Sequence, residues 1–316
     1  SQDLANRLVL GISGGAFVET TFYARLRPLV DIEAPRPFYS RFDAETFNSL
    51  IILADITDEV TEFCSHKTVM TRARAESEMR LLATLHGTFY RDARARAELE
   101  ALTTWPQFFD NTKAFGIEQG SNQGFLEAKE VIPPAVYARF EEIWPKTLAS
   151  VERHNHLPLT LMHGDVHLKN WYVAGNGEMG LSDWQCSGRG HWSRDVVYAL
   201  TTALTVEDRR AWEKDLLRFY LERLRAAGGP TVSFDEAWLN YRQQLMTVLT
   251  WWTITMHPTP DLPDMQPKDI TRRVLRRPLH SPYLPGGGVR RSWRWLWVAG
   301  SAWLLWVAVL SDHSFW

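Results

Sequence analysis

The stretch His163-Gly164-Asp165-Val166-His167-Leu168-Lys169-Asn170 gathers a carboxylate, an amide and two imidazoles behind the apolar approach Leu161-Met162. A second carboxylate, Asp183, follows in Leu181-Ser182-Asp183-Trp184. Between them Gly175-Asn176-Gly177 is a strong turn signal flanked by short apolar runs, which predicts an antiparallel hairpin. A hairpin centred between Asn176 and Gly177 sets Asn170 opposite Asp183, and directly opposed residues on such a pair lie within about 5 Å. An amide oxygen and a carboxylate at the open end of a hairpin suit magnesium, a hard ion that takes oxygen ligands and keeps waters and phosphates. Asp165, in the loop feeding the hairpin, is placed to orient a hydroxyl and accept its proton.

Blander and rival readings of the same residues exist. His163 and His167 stand four apart, a zinc spacing only on a helix, whereas Gly164-Asp165 reads as loop. Lys169 reads as a solvated loop side chain, Trp184 as packing and Cys186 as a small apolar filler.

The elements that must position these groups are legible from periodicity. Val18 to Leu29 has helical spacing, with Phe22, Leu26 and Leu29 on one side, and Pro35 and Pro37 stop it. Phe38 to Phe42 and Leu50 to Leu53 read as two strands of a hairpin turning around Asp43 to Asn48. From Thr68 to about Tyr90 the pattern is helical again, with Met79, Leu82 and His86 in register. Ser193 is positioned to cap a helix through Tyr198 and Leu200. Thr205 with Asp208 opens a helix striped by Trp212, Leu216, Phe219 and Leu224, which stops at Gly228-Gly229-Pro230. Ser233 with Glu236 opens a long one expected to run through Trp252.

Bulk composition excludes several classes. The 316 residues are 45% hydrophobic and 23% charged with a net charge of −2, so no nucleic-acid partner is indicated. Cys64 and Cys186 form no spaced motif, which fits a reducing, cytoplasmic setting. The end of the chain is of another character: a Pro/Gly-rich piece, arginines, then Trp295 to Ser311 without a charge, and six of the fifteen tryptophans fall between Trp293 and Trp316. A short membrane helix, a core helix and an ending foreign to the domain, as after a reading-frame shift, all accommodate it; a membrane role is not expected but is left open by this tail.

Asp165 and Asn170 keep the offset of the catalytic Asp and metal-binding Asn in the kinase loop H-R-D-x-x-x-x-N, with Gly164 in place of the arginine. Together with Leu181-Ser182-Asp183-Trp184-Gln185 and Gly188 to Val196, the segment resembles the aminoglycoside phosphotransferase and choline-kinase-like family. That resemblance, running from about Glu19 to Arg273, implies a protein-kinase-like α+β fold of two lobes. Its expected parts are a truncated N-terminal lobe over 1–56, a mainly helical C-terminal catalytic lobe over 57–276, and the Trp-rich tail over 277–316. It implies ATP-dependent phosphorylation of a small-molecule hydroxyl with Mg2+. Asp165 becomes the catalytic base with His163 and Asp195 supporting its loop, and Asn170 and Asp183 become the metal ligands. Glu19 is the glutamate expected to pair with a nucleotide-binding lysine, and Leu53-Ala54-Asp55 the hinge meeting adenine.

The pattern departs from the family upstream. The first lysine is Lys67, and Gly11-Ile12-Ser13-Gly14-Gly15 does not match a phosphate loop. Either the phosphate-covering hairpin lies upstream of this chain, a reading that the absence of an initiating Met favours, or the protein is a degenerate relative, a binding protein without catalysis. On both readings the chain as given binds ATP weakly and turns over poorly.

Overall fold

The computed structural model describes residues 14–259, 265–279, 294–296, 307–310 and 314–315. Helix α1 (Gly15–Thr21) widens into a π turn over Phe22–Leu26 and tightens through a 3₁₀ turn over Arg27–Leu29. Phe22 and Leu26 are fully buried, so the apolar side expected from their spacing is the packed one. Of the glycine-rich piece before α1, residues 11–13 lie outside the described residues. Strands β1 (Pro37–Phe42) and β2 (Ser49–Leu53) form the expected hairpin, with Phe42 opposite Ser49. Its turn is pinned by Asp43, whose Oδ1 accepts the Glu45 and Thr46 N–H groups. The Ser40 hydroxyl donates to the Thr20 carbonyl at 2.9 Å and fastens the hairpin to α1. Phe38, Leu50 and Ile52 remain exposed on it.

β3 (Val60–Phe63) turns away from this hairpin and pairs elsewhere. Helix α2 (Arg72–Arg91) begins later than Thr68 because Thr71 is its cap, accepting the Arg74 N–H. Met79, Leu82 and His86 are all fully buried on its inner face. The chain continues through α3 (Ala93–Leu99), α4 (Trp105–Lys113), α5 (Ile117–Glu127), α6 (Pro134–Tyr137) and α7 (Phe140–Glu152). Four short strands follow: β4 (Thr160–Met162), β5 (Trp171–Ala174), β6 (Met179–Leu181) and β7 (Gly188–Gly190). β5 is the middle strand of β3-β5-β6, and β4 pairs with β7. Both ladders are antiparallel.

The last helices are α8 (Ser193–Ala203), α9 (Val206–Ala226), α10 (Phe234–Gln243), α11 (Leu245–Thr253) and α12 (Lys268–Leu279). Thr205 and Ser233 cap α9 and α10 as their spacing predicts, accepting the Asp208 and Glu236 N–H groups. Two expectations are corrected. Ser193 does not cap α8: it lies in the first turn, its hydroxyl 2.8 Å from His191 Nδ1. The long helix after Ser233 is broken at Gln244. The break is held by α7, since the Ser150 hydroxyl donates to the Gln243 carbonyl at 2.7 Å and Gln244 Nε2 donates to the Ser150 carbonyl. Buried backbone groups freed by a break need such partners.

The tail is not one helix. Its described parts, β8 (Arg294–Leu296), β9 (Val307–Leu310) and β10 (Ser314–Phe315), pair antiparallel in the order β10-β9-β8. Among the described residues no helix is long and apolar enough to cross a membrane.

The hairpin register also differs by one residue from that expected for a centre between Asn176 and Gly177. Trp171 faces Leu181, Tyr172 faces Gly180 and Val173 faces Met179. The loop is the three residues Gly175 to Gly177, closed by Gly177 N–H on the Ala174 carbonyl, with Gly177 left-handed at φ 84°. Centring the turn on Asn176 shifts every pair by one, so Asn170 meets Ser182, whose N–H and hydroxyl both donate to the Asn170 carbonyl. Asp183 sits one step past the ladder.

Phe22 and Trp184, both fully buried, stack with ring centroids 3.6 Å apart and join α1 to the segment after Asp183. Phe22→Ala is expected to cost about 3–5 kcal/mol in urea unfolding, and a loss well below that range would mean that α1 is not held through this stack.

Candidate active site

The loop from His163 to Asn170 hangs from one buried carboxylate. Asp195, in the first turn of α8, is fully buried; its Oδ2 accepts the His163 N–H at 2.7 Å and its Oδ1 the Gly164 N–H at 3.0 Å. His86 of α2 approaches the same carboxylate, Nε2 to Oδ2 at 3.3 Å, while its Nδ1 lies 2.7 Å from the Tyr220 hydroxyl of α9. Burial alone would raise the Asp195 carboxyl, but His86, with the charges of His163 and Arg194, holds it below the usual carboxylate range.

Gly164 has φ 84°, and a Cβ there would stand 2.3 Å from the Cys186 carbonyl oxygen. That contact explains why the position that carries arginine in protein kinases is glycine here. His163 is fully buried, and burial keeps its imidazole below the ordinary value. Its Nδ1 accepts the Asp165 N–H at 3.2 Å and its Nε2 faces the Ser182 carbonyl at 3.0 Å. Both nitrogens are therefore committed to shaping the loop, with the proton on Nε2.

Asp165 presents its carboxylate beyond this scaffold. The Tyr198 hydroxyl of α8 donates to Oδ1 at 2.7 Å, and His167 Nε2 lies 3.4 Å from Oδ2. Burial pushes the carboxyl up, but His167, Tyr198 and His163 outweigh it, so the group titrates well below the usual range. Burial conversely lowers His167, and the adjacent Asp165 more than compensates, leaving the imidazole above its ordinary value. The two form an ion pair whenever His167 is protonated, which its raised value favours.

Asn170 donates through Nδ2 to the Asp165 carbonyl at 2.7 Å, which leaves its amide oxygen as the free acceptor. Asp183 is left-handed, at φ 64° and ψ 73°, a conformation that costs a non-glycine residue about 1–3 kcal/mol and clusters at functional sites. Burial raises its carboxyl; the imidazoles of His163 and His167 act against that, and the charge of Asp165 adds to it. Glu19 is raised too, by burial first and by Asp183 second, against the Trp184 N–H. Two half-buried carboxylates are thus both raised, and the charge of Asp183 reaches Glu19. Among the described residues no group of three or more His, Cys, Asp or Glu side chains could hold a metal ion. A cation here would rest on the Asp183 carboxylate, the Asn170 amide oxygen and ligands of its own, as magnesium sites that keep waters and phosphates do.

A cleft of about 520 Å³ opens over these groups, with Asp165, His167, Asn170 and Asp183 on its wall. The family model described as "Phosphotransferase enzyme family" matches residues 19–231, more than half of the chain. The chain belongs to the phosphotransferase enzyme family. Its fold is accordingly the protein-kinase-like α+β fold, with small antiparallel sheets feeding a mainly helical bulk. Among solved structures, it is similar to the choline kinase LicA from Streptococcus pneumoniae at 14% identity and TM-score 0.47, covering 84% of this chain and 79% of that one. An ethanolamine kinase from Plasmodium vivax matches at 11% identity and TM-score 0.48, over 84% and 71%. The macrolide 2'-phosphotransferase MphH from Brachybacterium faecium matches at 15% identity and TM-score 0.41, over 78% and 75%. These superpositions are loose, and the family assignment rests on the sequence match. No curated protein matches the chain.

Within this family member, Asp165, Asn170 and Asp183 share one cleft, and the charge of Asp183 acts on Glu19. Leu53, Ala54 and Asp55 do not line that cleft. Ala54 donates its N–H to the Arg36 carbonyl at 2.8 Å, and Asp55 Oδ1 accepts the Thr57 N–H and hydroxyl. Two contributors have no motif to reveal them. Tyr198 reads as core on a helical stripe, and His86 as one more buried position of α2; only the fold carries them to Asp165 and Asp195.

Replacing His167 by Gln removes the imidazolium and leaves burial less opposed, so the Asp165 carboxyl should rise. The acid limb of the pH–rate profile should then move to higher pH. A profile that stays in place would separate His167 from the ionisation of Asp165.

Proposed function

We propose that the chain transfers a phosphoryl group from ATP to a hydroxyl of a small molecule, with Mg2+ and with Asp165 as base. The single observation that carries this is the Asp165 carboxylate, held ionised by His167 and Tyr198 at a cleft that also contains Asn170 and Asp183. A base poised in this way can orient an acceptor hydroxyl and take its proton as the oxygen attacks phosphorus. His163 and Asp195 keep the loop rigid while this happens. When bound, magnesium supplies charge neutralisation at the phosphates, held by Asp183 and Asn170. On the nucleotide side Glu19 and the backbone of Leu53 to Asp55 are the proposed contacts; the Ala54 N–H is already occupied, so an adenine edge falls to its neighbours. ATP and magnesium make the cytoplasm the proposed place of action.

A second reading, a non-catalytic binding protein, is favoured by one observation. Among the described residues the charged group acting on Glu19 is the carboxylate of Asp183, with no lysine beside it.

The test follows radiolabel from Mg·ATP into a panel of hydroxyl acceptors. Asp165→Asn should lower transfer by about 10²–10⁴-fold, and Asp183→Asn should raise the magnesium concentration required. Absence of transfer to any hydroxyl acceptor would favour the binding protein. Phosphate release to water that survives Asp165→Asn but not Asp183→Asn would mark a metal-dependent hydrolase instead.

A further inference from the structure

The cleft over Asp165 has a wall whose chemistry restricts what can sit there. Phe108, Phe115, Ile117, Trp251, Trp252 and Ile254 contribute it, from α4, the turn after it, the start of α5 and the end of α11 with the turn that follows. The wall is continuous with packed structure. Trp251 lies edge-on to the fully buried Trp105 at 6.0 Å and meets Phe108 at 5.8 Å. Trp252 meets the His167 ring edge-on at 5.9 Å, so the apolar surface runs up to the ion pair of Asp165. A volume of about 520 Å³ is within the range that encloses a drug-sized molecule.

The charges of the cleft point the same way. Among its described lining residues the acidic groups are Asp165 and Asp183, the first already paired with His167 and the second a proposed cation ligand. Besides His167, the basic residue is Lys169. Among the described lining residues an ammonium-bearing acceptor would meet no spare carboxylate and would face like charge, while desolvation of an unpaired charge is costly. The remaining polar side chains include neutral hydroxyls and amides, such as Thr112, Thr255 and Gln266.

Resting on the phosphotransferase reading above, we infer that the acceptor is an uncharged alcohol with a broad apolar body, its hydroxyl at Asp165 and its body against Phe108, Phe115 and Trp251. The rival is a cationic amino alcohol held on aromatic faces by cation–π attraction.

Calorimetric binding to the full chain without nucleotide, using 2-naphthylethanol, choline and kanamycin as probes, separates the two. Naphthylethanol should bind tightest, and Phe115→Ala should weaken it by about tenfold, the order expected for loss of one aromatic contact. Thr112→Asp, which adds a carboxylate to the wall without removing packing, should shift preference towards choline. Tighter binding of choline or kanamycin to the unmodified chain, or no naphthylethanol binding, would overturn the inference. Naphthylethanol binding that depends on Phe115 but gives no product with Mg·ATP would sink the phosphotransferase reading while leaving the acceptor class intact.

Discussion

A carboxylate removed from water must be met by hydrogen-bond donors, and Asp195 meets that demand with the backbone N–H groups of His163 and Gly164. Much of the site follows from this one constraint. Both amides point at α8 only if the loop turns through a left-handed Gly164. His163 is then directed inward, where its two nitrogens tie the Asp165 N–H to the Ser182 carbonyl. His86 and Tyr220 extend the same anchor into α2 and α9, so the loop is referenced to helices far apart in sequence.

The carboxylates of the site share burial and differ in neighbours. Asp165 has an imidazolium and a phenol hydroxyl against it and stays ionised. Burial pushes Asp183 and Glu19 up, with the Asp165 charge adding to the first and the Asp183 charge to the second. Environment thus separates an ionised carboxylate from two whose charge is opposed, although all are the same kind of side chain.

The acceptor side of the cleft depends on a different feature, the break at Gln244. From α7 the Ser150 hydroxyl satisfies the Gln243 carbonyl at the break, and the Gln244 side chain returns a bond to the Ser150 carbonyl. Trp251 and Trp252 are carried by the helix that follows, and its placement brings them beside Phe108 and His167.

Local sequence determined the elements and the reacting groups. The caps at Thr205 and Ser233, the β1–β2 hairpin, the inner face of α2 and the residues Asp165, Asn170 and Asp183 follow from short-range spacing, because caps, turns and amphipathic stripes are set within a few residues. Tertiary structure decided the rest. Centring the hairpin on Asn176, the middle residue of a three-residue turn, put Ser182 rather than Asp183 across from Asn170. The partners Tyr198 and His86 come from distant helices, and no local pattern marks a residue whose value lies in what the fold lays beside it. Lone aromatic and histidine positions on a helical stripe look alike in sequence, and only packing distinguishes a filler from a side chain that fixes the charge of a carboxylate in the cleft.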